Sequence, residues 1–159
     1  MDTVNKILAP TDLSESSKPG VRYALQMAAS VNAHLIVYHV ASYDSDFPYP
    51  LGIGEVSSAY LPTQDFDDFL RGRKHSLKSF VNDNFKDLCS AVKLSLEIDV
   101  GEAQEMILQK AEQNNVDMIV MSTHGRTGLG HILIGSITEY IVRHAHCPVL
   151  SIRSKPQNP

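Results

Sequence analysis

Short apolar runs alternate along this chain with longer segments of helical period, the arrangement that predicts βαβ units and a parallel sheet. Five runs read as strands: Val4 to Ala9, Leu35 to Val40, Val92 to Val100, Met118 to Met121 and Val149 to Ile152. The second and fourth are almost unbroken in Ile, Val, Leu and Met, as expected of strands covered on both faces. The third alternates: Val92, Leu94, Leu96, Ile98 and Val100 are apolar, whereas Lys93, Ser95, Glu97 and Asp99 are polar. That pattern predicts a strand wet on one face, at the edge of the sheet.

Between the runs, Val21, Ala24, Leu25 and Ala28 recur at helical spacing, and Phe66, Phe69, Leu70, Leu77, Phe80, Val81 and Leu88 do so over a longer stretch. A third helix is predicted from Ala103 to Gln113, ending at Asn114 and Asn115. A fourth follows Gly135 until Pro148 forbids continuation. The one long irregular segment, about 41–64, holds Pro48, Pro50, Pro62, Gly52, Gly54 and several aromatics. Such loops are functional or disordered as a rule, and no role is assigned to it.

Composition narrows the class. The 159 residues, 43% hydrophobic and 20% charged, suit one globular domain over 1–159 with a short C-terminal tail, 154–159. A formal net charge of -4 removes the long-range attraction that brings basic proteins to nucleic acid or anionic lipid. Any anion must be held locally. No apolar stretch approaches the roughly 20 residues of a membrane span, and no basic leader precedes the first strand. Cys89 and Cys147 read as free thiols, and a cytoplasmic location is expected.

In open α/β sheets, ligands bind outside the carboxyl ends of the strands. The connection after the fourth strand runs Ser122-Thr123-His124-Gly125-Arg126-Thr127-Gly128-Leu129-Gly130-His131-Ile132-Leu133-Ile134-Gly135-Ser136. Glycines there let backbone N–H groups approach a phosphate, and a helix starting after Gly135 offers unpaired donors and the positive end of its dipole. A competing explanation is a capping box, with Ser136 bonding the helix backbone and Glu139 reaching back; it accounts for Ser136 and Glu139 but not for Gly125, Gly128 and Gly130. No G-x-x-x-x-G-K-[ST] occurs, and Gly52-Ile53-Gly54 lacks the rest of a dinucleotide fingerprint.

These residues resemble the universal stress protein family, whose ATP-binding members carry G-x2-G-x9-G-[ST] between the fourth strand and fourth helix. The resemblance takes in Ile7-Leu8-Ala9-Pro10-Thr11-Asp12, Tyr38-His39-Val40, Ser122 to Gly128, Gly135-Ser136 and Cys147-Pro148-Val149-Leu150. Here Ser122 stands where the pattern has its first glycine, a small side chain close to the nucleotide whose hydroxyl could donate to ribose. The resemblance implies a doubly wound five-stranded sheet in the order 3-2-1-4-5 with four helices, of the adenine nucleotide alpha hydrolase-like type. It implies a stress-response protein binding ATP, with Mg2+ admissible beside it.

By the same resemblance Asp12 meets the adenosine end, with Pro10 and Thr11 counted among the nucleotide-binding residues, Val40 bonds adenine through its backbone, and Met121 and Ser122 flank ribose and adenine. Gly125, Arg126, Gly135, Ser136 and Ile137 surround the phosphates, with His124 a loop contact and Gly128 counted among the nucleotide-binding residues. Each of the first group has a plainer explanation: Asp12 as a cap of the turn into the first helix, Val40 as a strand end, Met121 as packing. The family also implies a homodimer through Val149, Leu150, Ser151 and Ile152, with a regulatory protein partner. A slow ATPase and a nucleotide-free dimeric interaction module are the alternative functions. His144, His146 and Cys147 have poor spacing for zinc, Cys147 reads as a core thiol rather than a nucleophile, and no catalytic residue is assigned.

Overall fold

The computed structural model describes residues 3–42, 63–123 and 134–153. Strand β1 (Lys6–Pro10) leads through a 3-10 turn (Glu15–Ser17) into α1 (Lys18–Val31), followed by β2 (His34–Ala41), α2 (Thr63–Cys89) and β3 (Lys93–Val100). The second half comprises α3 (Ala103–Gln113), β4 (Met118–Ser122), α4 (Ser136–His144) and β5 (Val149–Ile152). The strands form one 5-stranded sheet in the order β3-β2-β1-β4-β5. Every pairing in it is parallel, and the strand order implied by the resemblance is met, with four α-helices among the described residues. The chain leaves β1 toward β2 and β3 and later returns on the other side through β4 and β5, which makes the β1/β4 boundary the topological switch point.

Alternate residues of the inner strands point to opposite layers. Ile7, Ala9, Leu35, Val37 and Val120 pack with Val21, Ala24, Leu25 and Ala28 of α1 and Leu77, Phe80, Val81 and Phe85 of α2. Leu8, Ile36, Tyr38, Ile119 and Met121 pack with Ile107 and Ala111 of α3 and Ile141 of α4. Burying a large aliphatic side chain in this way contributes about 1.5–3 kcal/mol. No helix among the described residues is long and apolar enough to cross a membrane.

Three details depart from the sequence pattern. The fourth helix ends at His144, with Ala145 already extended, so the chain leaves helical geometry before Pro148 demands it. β3 does lie at the edge, but its polar face is covered: Lys110 of α3 reaches Glu97 at 3.1 Å and Asp99 at 2.8 Å. Burial pulls the Lys110 pKa down, yet hydrogen bonds to Asp99 and Glu97 outweigh it and raise the pKa overall. Near its end α2 bends at Phe85 (φ -140°, ψ 15°), whose buried ring meets Phe80 edge-on at 5.7 Å and carries the Arg22 guanidinium 5.3 Å above it.

Candidate functional site

Buried polar side chains are costly unless hydrogen-bonded, so their location is informative. Among the described residues six are buried: Thr11, Ser17, His39, Ser122, Thr123 and Thr138. All six lie at or beside the carboxyl ends of β1, β2 and β4, and most are joined by hydrogen bonds. His39 Nδ1 lies 2.9 Å from the Thr11 carbonyl. The Thr11 and Ser17 hydroxyls are 2.8 Å apart. The Ser122 hydroxyl donates to the Ser17 carbonyl at 3.2 Å, and the Thr138 hydroxyl donates to the Ser122 carbonyl at 3.0 Å. A continuous polar seam thus runs from β2 across β1 and β4 to α4, beneath the switch-point crevice.

The start of α1 depends on this seam. Ser17 precedes the helix but makes no side-chain cap; its hydroxyl donates to the Ser14 carbonyl instead. The N–H of Gly20, third residue of the helix, donates to Ser122 Oγ at 2.9 Å, so a strand residue 102 positions away performs the capping role. Close approach demands glycine there. A Cβ on Gly20 would stand 2.5 Å from Ser122 N and 2.8 Å from the Met121 carbonyl carbon.

After β1 the chain turns sharply. Asp12 Oδ1 accepts from the Ser14 N–H at 3.0 Å and from its hydroxyl at 2.6 Å, while Leu13 takes a left-handed φ of 64° and donates its N–H to Thr11 Oγ1 at 3.1 Å. Asp12 therefore does brace the turn, as its plainer explanation holds, and this turn sits at the crevice mouth. Val40 lies past the last β1–β2 pair, Pro10↔Tyr38, so its main chain borders the same crevice. Pro10 and Met121 are buried, Met121 against the α3 and α4 side of the sheet.

The two ends of the connection after β4 are held together. The Gly135 N–H donates to the Thr123 carbonyl at 2.6 Å, bringing the first turn of α4 against the end of β4. Gly135 itself is the N-cap, extended at φ -67° and ψ 153°, with no side-chain cap, and its carbonyl accepts the Glu139 N–H at 2.9 Å. The capping-box explanation of Ser136 is therefore overturned. Ser136 is already helical, and Glu139 pairs with Arg143 one turn on rather than reaching back. Ser136 and Ile137 are exposed at this helix start. His124, Gly125, Arg126 and Gly128 lie outside the described residues.

Of the predicted positions, the structure brings Pro10, Thr11, Asp12, Val40, Met121, Ser122, Gly135, Ser136 and Ile137 to one end of the sheet. The Ser122 side chain, however, is turned beneath α1 and spends its hydroxyl on Ser17 and Gly20. Sequence reasoning passed over Ser17, Gly20, His39, Arg73 and Thr138. Only long-range contacts single them out; their local sequence reads as ordinary helix or strand. Away from this end, Cys147 is half-buried in the core and burial raises its pKa, aided by Asp117. His144 stacks on Tyr140 and bonds its carbonyl at 2.8 Å, and no group of three potential metal ligands occurs among the described residues.

The sequence model of the Universal stress protein family matches residues 3–153. Universal stress protein MJ0531 of Methanocaldococcus jannaschii is 31% identical over 153 residues, which cover 96% of this chain and 83% of that protein. Among solved structures, the universal stress protein UspA of Lactobacillus plantarum superposes with a TM-score of 0.74 at 25% identity, covering 96% of this chain and 100% of that one. The MJ0577 structure gives 0.71 at 26%, covering 98% and 100%. At lower identity the same fold recurs in a universal stress protein in complex with cAMP (20%, TM-score 0.65) and in one from Arabidopsis thaliana with AMP bound (17%, TM-score 0.57). A match along nearly the whole chain, a relative above 30% identity and a common sheet order lead to one conclusion: this chain belongs to the universal stress protein family.

Proposed function

We propose that this chain is a regulatory adenine-nucleotide-binding protein of the stress response, with ATP as ligand at the carboxyl ends of β1, β2 and β4. The observation that carries the reading is the polar seam itself: all six buried polar side chains of the described residues gather under the switch-point crevice, where the first turn of α4 also begins. In this reading Val40 meets adenine through its main chain, and Asp12 accepts from ribose while keeping its turn. Gly135 leaves room for close approach, its own N–H being spent on the Thr123 carbonyl, while Ser136 and Ile137 present the N–H groups and positive dipole end of α4 to the phosphates. His124, Gly125, Arg126 and Gly128 complete that cradle, Arg126 adding charge and able to share the polyphosphate with Mg2+. The cAMP and AMP complexes of two proteins sharing the fold support an adenine nucleotide as the ligand class.

Regulation needs an outlet, and β5 supplies one. Among the described residues it is the outermost strand on its side, so Val149, Leu150, Ser151 and Ile152 form an edge that a second copy of the chain can cover to form a homodimer. A regulatory protein partner would read the dimer, in the cytoplasm. The test is direct. Nucleotide released on denaturing the purified protein is identified by chromatography, and ATP, ADP and AMP affinities are measured by calorimetry on wild type and Gly135→Val. A loss of roughly tenfold or more in the variant is expected, equivalent to about 1.4 kcal/mol. A protein that emerges empty and binds none of the three is a nucleotide-free interaction module, and steady phosphate release from bound ATP would make it a slow ATPase.

A further inference from the structure

One buried residue of the seam has chemistry that neither fold nor ligand contact explains. His39 is 1% exposed, and its two ring nitrogens are engaged on opposite sides. Nε2 lies 3.2 Å from Arg73 Nη2, and Nδ1 lies 2.9 Å from the Thr11 carbonyl. A guanidinium can only donate and a carbonyl can only accept. Nε2 must therefore present its lone pair to Arg73, which leaves the single ring proton on Nδ1, donated to Thr11.

We propose that His39, held in its Nδ1–H tautomer by Arg73, is a positioning residue for the nucleotide site: it fixes the Thr11–Asp12 peptide and thereby the place of the Asp12 carboxylate. This rests on the nucleotide reading above. The peptide is planar and trans, so anchoring its carbonyl fixes the whole plane at the point where the chain leaves β1. Further restraints act on either side of that plane: the Thr11 N–H donates to the Tyr38 carbonyl at 2.8 Å, and Asp12 Oδ1 accepts from Ser14. His39 holds the Thr11 carbonyl from β2, the strand that carries Val40 as its next residue. One imidazole thus ties the adenine-facing strand to the ribose-facing turn. Arg73 extends the device to α2, so a displacement of that helix is felt at Asp12 through two hydrogen bonds.

The experiment pairs ATP calorimetry with the long-range nitrogen–proton NMR pattern of the imidazole, which distinguishes tautomers. Wild type is expected to show His39 neutral with its proton on Nδ1, and Arg73→Met to show mixed tautomers and roughly tenfold weaker ATP binding. His39→Asn places an amide N–H near the former Nδ1, so it should stay within about threefold of wild type, while His39→Leu should lose roughly tenfold. Rescue by asparagine is the outcome a merely space-filling role does not give. A proton on Nε2 overturns the proposal, as does an unchanged ATP affinity in folded Arg73→Met or His39→Leu. Absence of any adenine-nucleotide binding by wild type overturns the nucleotide reading and this role together, whereas binding with indifferent variants overturns the positioning role alone.

Discussion

Replacing Ser122 by glycine restores the family pattern at its first position, and two opposite outcomes are conceivable. If the serine side chain crowded the nucleotide, Ser122→Gly would tighten ATP binding at little cost. The geometry says otherwise, because the hydroxyl lies under α1, accepting from the Gly20 N–H at 2.9 Å and donating to the Ser17 carbonyl at 3.2 Å. Its loss leaves a buried helix N–H without an acceptor, costing about 1–3 kcal/mol. A glycine within the strand end adds roughly 0.5–1 kcal/mol of backbone entropy. Allowing for a water entering the vacated space, the expected destabilisation is about 2–3 kcal/mol, or a fall in Tm of roughly 4–12 °C for a domain of this size. Ser122→Ala keeps the Cβ and should lose about 1–2 kcal/mol. Thermal and urea unfolding measure the stabilities, and calorimetry at a temperature where all three proteins are folded measures ATP affinity. Affinity should change by less than about threefold in either variant. A Ser122→Gly protein as stable as wild type and binding ATP tenfold more tightly would refute the assignment of the hydroxyl to α1.

Gly20→Ala should be worse tolerated than an ordinary helix glycine substitution, which is usually favourable, because its Cβ meets backbone at 2.5 Å and 2.8 Å; a loss of about 1–3 kcal/mol or more is expected in urea unfolding, and an unchanged midpoint would contradict the close approach. His34 bonds Ser95 Oγ at 2.8 Å, and its pKa is lowered first by burial and then by Lys93 and Lys6. The unfolded chain therefore takes up the proton first as pH falls through about 6.5, so stability should decline from there toward the lower folded pKa, and His34→Gln should flatten that part of the profile. Lys110→Met should destabilise by roughly 1 kcal/mol, more at low salt than at high, since Glu97 and Asp99 are left facing each other beside Tyr38, whose hydroxyl donates to Asp99 at 2.9 Å. Equal effects at both salt concentrations would count against the ionic account.

Elements and layers were legible because period-2 and period-3.6 patterns report burial, and burial is what a doubly wound sheet imposes on Ile36, Val37, Ile119 and Val120; the strand order came from the family resemblance. Of the glycines in the connection after β4, Gly135 alone lies among the described residues, where it serves as the N-cap of α4. The competing capping-box explanation of Ser136 fails because the four residues Ser136 to Glu139 satisfy a local rule that Gly135 satisfies better by taking the extended conformation. The capping of α1 was invisible, since its acceptor comes from β4, and no local window contains both Gly20 and Ser122.

The same separation explains why the seam matters for function. A nucleotide held at a switch point touches β1, β2, β4 and α4, elements that meet only in the folded chain, so a preorganised site requires bonds between them rather than within them. Thr11–Ser17, Ser17–Ser122, Ser122–Thr138 and His39–Thr11 are such bonds, and each is buried, where hydrogen bonds are strengthened and their loss is most costly. Removing any one should therefore lower stability and loosen the crevice together. The exception is informative: Ser122→Ala breaks the link to α1 while keeping the carbonyl that Thr138 bonds, so the crevice wall facing α4 should persist. A stability loss in that variant with nucleotide affinity intact would separate the part of the seam that builds the fold from the part that shapes the site.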